Sequence, residues 1–280
     1  MPDSARAPSV ERVIDHVLPL LAFGVLTGLT TVLFGFGGGF VTVPVVYAFA
    51  QAQSGPGGDP MHVAVATSTA VMVVNSLGAT VAQYRAGRLR REYLWPLVLY
   101  VGLGALLGAA GALAVGDTVQ RFLFAAYLAV TIVDSVVRKG FLTGPGTEPR
   151  GLGPVTTTVG GVGIGAAAGC LGVGGSVLTV PLLRRRGLPM AYATAMANPL
   201  SLPVAVVGTA VYALAGGADA AGGASGQVGY VDAVAVAALL AGSLPTIALA
   251  RRVVGRIPDR VHAVAYVVLL AVALLAVLLV

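Results

Sequence analysis

The chain has 280 residues, 57% of them hydrophobic and 10% charged, whereas a soluble domain carries about a quarter charged residues. Together with a mean hydropathy of +0.90, this excludes a soluble fold and points to a bilayer. The 17 Lys/Arg against 11 Asp/Glu give a net +6, which in an apolar chain is first a topology signal, so a nucleic-acid partner is not expected. One cysteine, Cys170, allows no internal disulfide and no Cys-rich metal site.

The N-terminal stretch, residues 1 to 16, mixes Asp3, Glu11 and Asp15 with two arginines and does not read as a signal peptide. A spanning helix needs roughly 20 apolar residues, and charged or Gly/Pro-rich breaks mark ten apolar segments. Segment 1 covers residues 17–34 and ends at Gly35-Phe36-Gly37-Gly38-Gly39. Segment 2 is short, 40–50, and a Gly/Ser/Pro-rich loop follows at 51–59. Segments 3, 4 and 5 cover 61–84, 93–115 and 118–137. After a polar linker come segment 6 (154–171), the short segment 7 (177–183), and segments 8, 9 and 10 (190–215, 228–250, 260–280).

The plan repeats. Gly24, Gly28, Gly35, Gly37, Gly38, Thr42, Val43 and Pro44 recur 137 positions later as Gly161, Gly165, Gly172, Gly174, Gly175, Thr179, Val180 and Pro181. Ala66-Thr67 recurs as Ala193-Thr194, a shift of 127, and Arg121-Phe122 aligns with Arg260-Val261, a shift of 139. If each short segment continued its predecessor, eight crossings would divide the basic residues 9 to 8 between the two sides. If each glycine run is a turn, Arg6, Arg12 and Arg121 lie on one side and the other 14 basic residues, from Arg85 to Arg260, on the other. The positive-inside rule selects the second arrangement, with both termini outside the cytoplasm. The expected fold is an all-α polytopic membrane protein with two inverted repeats, 17–138 and 154–280, around a linker at 139–153. Each repeat is a Gly-tipped broken-helix hairpin plus three transmembrane helices, a transporter design.

Segments 2 and 7 begin at the tips, so each aims unpaired N–H groups and a positive dipole end at the bilayer centre. Glycine lets an anion approach those groups. Gly37, Gly38, Gly39, Phe40, Gly174, Gly175, Ser176 and Val177 are the candidate anion-binding positions, with Ser176 standing where the first tip has Gly39. Thr67, Ser68 and Asn75 on segment 3, and Thr194 and Asn198 on segment 8, add a polar path. Asn198-Pro199 and Pro203 predict a break in segment 8, and Pro44 and Pro181 mark kinks in the half-helices. Asp134 reads as a partner of Arg138, His62 and Asp232 as outer groups, and His262 as an inner one. With no ionisable group expected at the midplane, neither an acid/base active site, nor a metal, nor a cofactor is expected. The run Gly161 to Ala166 fits a loose dinucleotide pattern but lacks the acidic residue about 20 positions on, and is rejected.

The paired tips, GlyPheGlyGlyGlyPheValThrValPro (35–44) and GlyValGlyGlySerValLeuThrValPro (172–181), with Ala66-Thr67-Ser68 and with Gly87 echoed by Gly226, resemble the TauE/SafE sulfite exporter family. The resemblance implies a multi-pass protein of a bacterial-type inner membrane that moves sulfite or an organosulfonate such as sulfoacetate. Export by alternating access is the leading expectation. An importer, a passive channel and a non-transporting subunit of a sulfur-metabolism assembly are the alternatives, and proton coupling and homo-oligomerisation stay open.

Overall fold

The computed structural model describes residues 10–53, 58–138, 141–142, 149–216, 226–250 and 257–279. Among the expected features, Arg6, Lys139, Arg251, Arg252, Arg256 and most of the 139–153 linker lie outside the described residues. The helices are α1 (Val10–Phe34), α2 (Gly39–Gln53), α3 (Pro60–Arg85), α4 (Arg91–Leu94), α5 (Leu97–Ala112), α6 (Asp117–Val137), α7 (Gly161–Leu171), α8 (Ser176–Arg185), α9 (Met190–Ala215), α10 (Ala233–Ala250) and α11 (Asp259–Leu279). A π-helical turn, Thr156–Gly160, leads into α7, and a small antiparallel hairpin of β1 (Gln227–Val228) and β2 (Val231–Asp232) precedes α10.

Seven spans among the described residues are long and apolar enough to cross a membrane. Leu99, Leu103, Leu107, Val130, Val133, Val268 and Val272 are each more than half exposed, as lipid-facing side chains are. The chain is an all-α, multi-pass membrane protein.

Contacts between helices set their directions. α1 and α10 run parallel: Gly24 lies against Leu239, Gly28 against Ser243, and Val32 packs with Ile247. α5 and α7 run parallel in the same way, with Gly161 against Leu97, Gly165 against Val101 and Gly169 against Ala105. These glycines let the backbones approach closely, as small residues do at helix interfaces in membranes. The arginines gather at one end. Arg85 and Arg88 lie beside Ile247 near the end of α10, Arg90 stacks on Tyr192 at the start of α9, Arg138 and Arg185 share Asp134, and Arg184 pairs with Asp259 at the start of α11. Arg121 lies at the opposite end, donating to the Val277 carbonyl near the close of α11 at 2.9 Å.

α1 crosses toward the arginine end, where His262 Nε2 donates to the Leu33 carbonyl at 2.6 Å. Residues 35–38 then double back along Thr27 and Thr31, and α2 returns to the opposite end, where Tyr47 meets Asp117 and Arg121. α7 and α8 form the counterpart hairpin, which starts and finishes at the arginine end. At 1.5 Å per residue the returning helices α2 and α8 are about 22 and 15 Å long. One detail differs from the sequence reading. The long arms carry the bends toward opposite ends, so the hairpins overlap, and the two returning helices begin between the bends, with Gly39 lying against the Gly172 carbonyl.

The structure also corrects the register of the repeats. Met61 N donates to Asp117 at 2.6 Å, as Met190 N does to Asp259 at 2.7 Å. Gln120 reaches the Cys170 carbonyl as His262 reaches that of Leu33. Gly172 rests on Val65, as Gly35 rests on Thr194. Contacts therefore recur at shifts of 137 for the hairpins, 129 for α3 and α9, and 142 for α5/α10 and α6/α11, in place of 127 and 139. Common residue pairs such as Ala-Thr repeat by coincidence, whereas packing fixes which residues face each other. Prolines are a second correction. α9 runs unbroken through Pro199 and Pro203, where a break was expected, because neighbouring helices re-satisfy the backbone groups that proline frees in a bundle; Pro44 and Pro181 lie inside α2 and α8.

Candidate functional site

The hairpin loops lie in the core of the bundle. Gly37 and Gly38 have φ of 63° and 95°, the left-handed region that glycine tolerates. Val41 N and Thr42 N are the first α2 amides with a recorded helix-start bond, both to the Gly38 carbonyl at 3.2 and 3.1 Å. The amides of Gly39 and Phe40 precede them as the unpaired donors of a helix start. In α8 the first such bond is Thr179 N to Gly175 O at 3.0 Å, which leaves Ser176 and Val177 in the equivalent position.

Ser68 joins the two loops, its Oγ donating to the Gly172 carbonyl at 2.7 Å and reaching the Gly39 carbonyl at 3.2 Å. Met72, fully buried, touches both Gly37 and Gly174. Ser243 Oγ donates to Asn75 Oδ1 at 2.8 Å, which turns the Asn75 amide nitrogen toward the first loop, 3.1 Å from where a Cβ on Gly38 would stand. Asn198 Nδ2 reaches the Thr31 carbonyl at 3.4 Å.

Several buried polar atoms here have no partner: Thr27 Oγ1, Asn75 Nδ2 and Ser76 Oγ around the first loop, Asn198 Oδ1 near Thr31 of α1, and Ser176 Oγ and Ser201 Oγ at the second loop. An unsatisfied buried group costs about 1–3 kcal/mol, so this concentration marks a polar centre that packing alone does not explain. The chain folds this way locally because Thr27 and Thr31, one turn apart on α1, share a face with Gly24 and Gly28, the face that meets α10 and the returning loop.

The structure gathers Gly37, Gly38, Gly39, Phe40, Gly174, Gly175, Ser176, Val177, Ser68, Asn75 and Asn198 around this centre. Phe40 adds a ring stacked on Phe36 at 4.8 Å, and the Val177 carbonyl accepts from Tyr266 at 2.9 Å. Thr67 and Thr194 face elsewhere. Thr67 Oγ1 accepts from Asp232 N at 3.0 Å, tying down the β-hairpin, and Thr194 Oγ1 turns back to the Met190 carbonyl at 3.0 Å. Thr27, Met72, Ser76 and Ser243 were missed in sequence, although the four-residue spacing of Thr27 and Thr31 and the adjacency of Ser76 to Asn75 were available signals; Ser201, a hydroxyl that the sequence does offer on segment 8, lies beside Gly174.

Charged groups stand away from the loops. Asp134 pairs with Arg138 at 2.9 Å, as expected, and also with Arg185 at 3.0 Å. His62, at the end opposite the arginines, donates to the Ala112 carbonyl at 3.1 Å. Among the described residues no three His, Cys, Asp or Glu side chains gather as a metal cluster. A cavity of about 150 Å³, lined by Val32, Ala79, Gln83, Arg85, Arg88 and Ile247 among others, indents the arginine end between α1, α3 and α10.

A family-level comparison matches residues 20–277 to sulfite exporter TauE/SafE, covering both hairpins and every long helix. The chain belongs to the TauE/SafE family. A curated relative from Haemophilus influenzae, described as a probable membrane transporter protein, is 27% identical over 175 residues, which is 61% of this chain and 64% of that protein. The match thus spans a little under two thirds of the relative's length. No solved structure matches the chain. Within the TauE/SafE match, the paired GlyXxxGlyGly loops are the stretches that Ser68 joins.

Proposed function

We propose that the chain is a secondary transporter of a small sulfur-containing anion, sulfite or an organosulfonate such as sulfoacetate, and works as an exporter in a bacterial-type cytoplasmic membrane. The observation that carries this reading is the meeting of two half-helix N-termini in a buried, uncharged polar centre, where backbone amides and hydroxyls stabilise an anion through dipoles. Membership of the TauE/SafE family supports the substrate class. The halves 17–138 and 154–280 act as inverted repeats that rock about the centre, and Ser68, bonded to both loops, sits at the contact that each cycle breaks and remakes. The repeated contacts and the gathering of arginines at one end support this arrangement, with that end cytoplasmic and both termini outside.

No acid/base or metal chemistry is assigned to the chain, and its partners are the small anion and the lipid bilayer. In proteoliposomes the wild-type chain moves sulfite, and Gly38→Val abolishes the flux. A chain that moves neither sulfite nor sulfoacetate, or a Gly38→Val variant with unchanged flux, refutes the reading. Accumulation driven by a pH gradient separates a proton-coupled transporter from a passive channel.

A further inference from the structure

The register set by the contacts allows the surroundings of the two loops to be compared position by position. Gly38 corresponds to Gly175. Gly38 is flanked by Thr27, Thr31 and Asn75, and Asn75 is held by Ser243. At the corresponding positions around Gly175 stand Ile164, Ala168, Val204 and Val101, while Ala205 replaces Ser76. All five replacements belong to one apolar core cluster. At these five positions the first loop is therefore set in hydroxyl and amide groups and the second in hydrocarbon, which leaves Ser176 and Ser201 as the hydroxyls of the second loop. The nearest neighbours of a Cβ on Gly175 include the Ile164 and Val101 methyl groups.

We propose that the anion is bound on one side only, in a cradle at the first loop formed by the Gly39 and Phe40 amides with Asn75 Nδ2, Ser76 Oγ and Thr27 Oγ1, and that the second hairpin, which lacks the counterparts of these three side chains, moves against it. This rests on the transport reading above and adds Thr27 and Ser76 as residues that select the ligand. All three side chains are fully buried, and the named atoms have no partner. Asn75 Oδ1 is occupied by Ser243, so the amide offers only its N–H groups to the loop. A donor set of N–H and O–H groups without a cation suits a small oxyanion with several acceptor oxygens. The approach is one-sided too. The cavity lined by Ala79, Gln83, Arg85 and Arg88 lies about a turn along α3 from Ser76. At the opposite end Tyr212 occupies the position corresponding to Gln83 and closes the bundle, donating to the Gly169 carbonyl at 3.2 Å.

The test uses the full chain in detergent and in proteoliposomes, with sodium sulfite and sodium sulfoacetate as probes. Thr27→Val, isosteric and lacking only the hydroxyl, and Ser76→Ala each weaken binding of the transported anion about tenfold or more, whereas Thr27→Ser restores it. The counterpart changes Ile164→Val and Val204→Ala leave affinity within about twofold. Equal weakening by the two sets, or wild-type affinity in both Thr27→Val and Ser76→Ala, overturns the one-sided cradle while leaving transport by the wild type intact. A wild-type chain that binds neither anion overturns the transport reading and the cradle with it. Size-exclusion profiles matching the wild type confirm that the variants fold.

Discussion

Replacing Gly38 and Gly175 separately by alanine tests the geometry of the loops, because the two glycines occupy corresponding positions in the sequence repeat and different backbone conformations. Gly38 has φ of +95°, and an added Cβ there collides with the Thr27 methyl and stands 3.1 Å from Asn75 Nδ2. Left-handed backbone costs an alanine about 1–2 kcal/mol, and overpacking a core typically adds about 1–3 kcal/mol. Gly38→Ala is therefore expected to lose about 2–5 kcal/mol. Gly175 has φ of −69°, which alanine adopts freely, and the nearest atom to its added Cβ is an Ile164 methyl at 3.4 Å. Gly175→Ala is expected to be neutral or to gain about 0.4–1 kcal/mol from the reduced entropy of the unfolded chain. Equilibrium unfolding in mixed micelles, followed by reaction of a fluorogenic dye with Cys170, the one cysteine of the chain, measures both. Equal losses for the two variants, or a neutral Gly38→Ala, refute the reasoning.

Ser68→Ala removes the hydroxyl shared by the Gly39 and Gly172 carbonyls and is expected to cost about 1–3 kcal/mol in the same assay; Ser68→Thr, which keeps a donor, distinguishes the lost bond from altered packing. Arg184, fully buried, binds Asp259 as well as the Phe141 carbonyl at 3.0 Å. Asp259→Asn leaves the buried Arg184 guanidinium without its anion and is expected to cost about 3–5 kcal/mol, read as loss of monodisperse protein, and Arg184→Met is expected to cost less because the Asp259 side chain is partly exposed to solvent. Alkaline phosphatase, active only outside the cytoplasm, is expected to be active when fused after Val280 and inactive when fused after Arg88. The reverse pattern would invert the proposed orientation.

Much of the architecture was readable along the chain. Segment lengths and the distribution of arginines selected hairpins over continuous spans at both glycine runs, because crossing a bilayer ties the position of a charge to the parity of the helices before it. Segment 1, segment 5 and segment 10 match α1, α6 and α11 to within a residue or two over their apolar parts. The candidate site was readable only in its backbone geometry, the turns at Gly37, Gly38 and Gly174, since positive φ favours glycine. It was not readable where side chains make it. Thr27 and Ser76 look like any hydroxyl that a membrane helix tolerates, and Thr67 and Thr194, singled out by sequence identity, bond to a β-hairpin and to their own helix.

What the sequence determined alone was the solvent, the hairpins and the pairing of the two loops, since hydropathy, charge parity and glycine spacing act through the chain's own order. The tertiary structure decided the register between the halves, the overlap of the hairpins past one another, and the contrast between polar side chains around the first loop and apolar ones at the corresponding positions of the second. Those depend on which residues of different helices face each other. Close packing of α1 on α10 and of α5 on α7 sets that through glycines whose partners lie more than 50 residues away in the chain, beyond the reach of any local pattern.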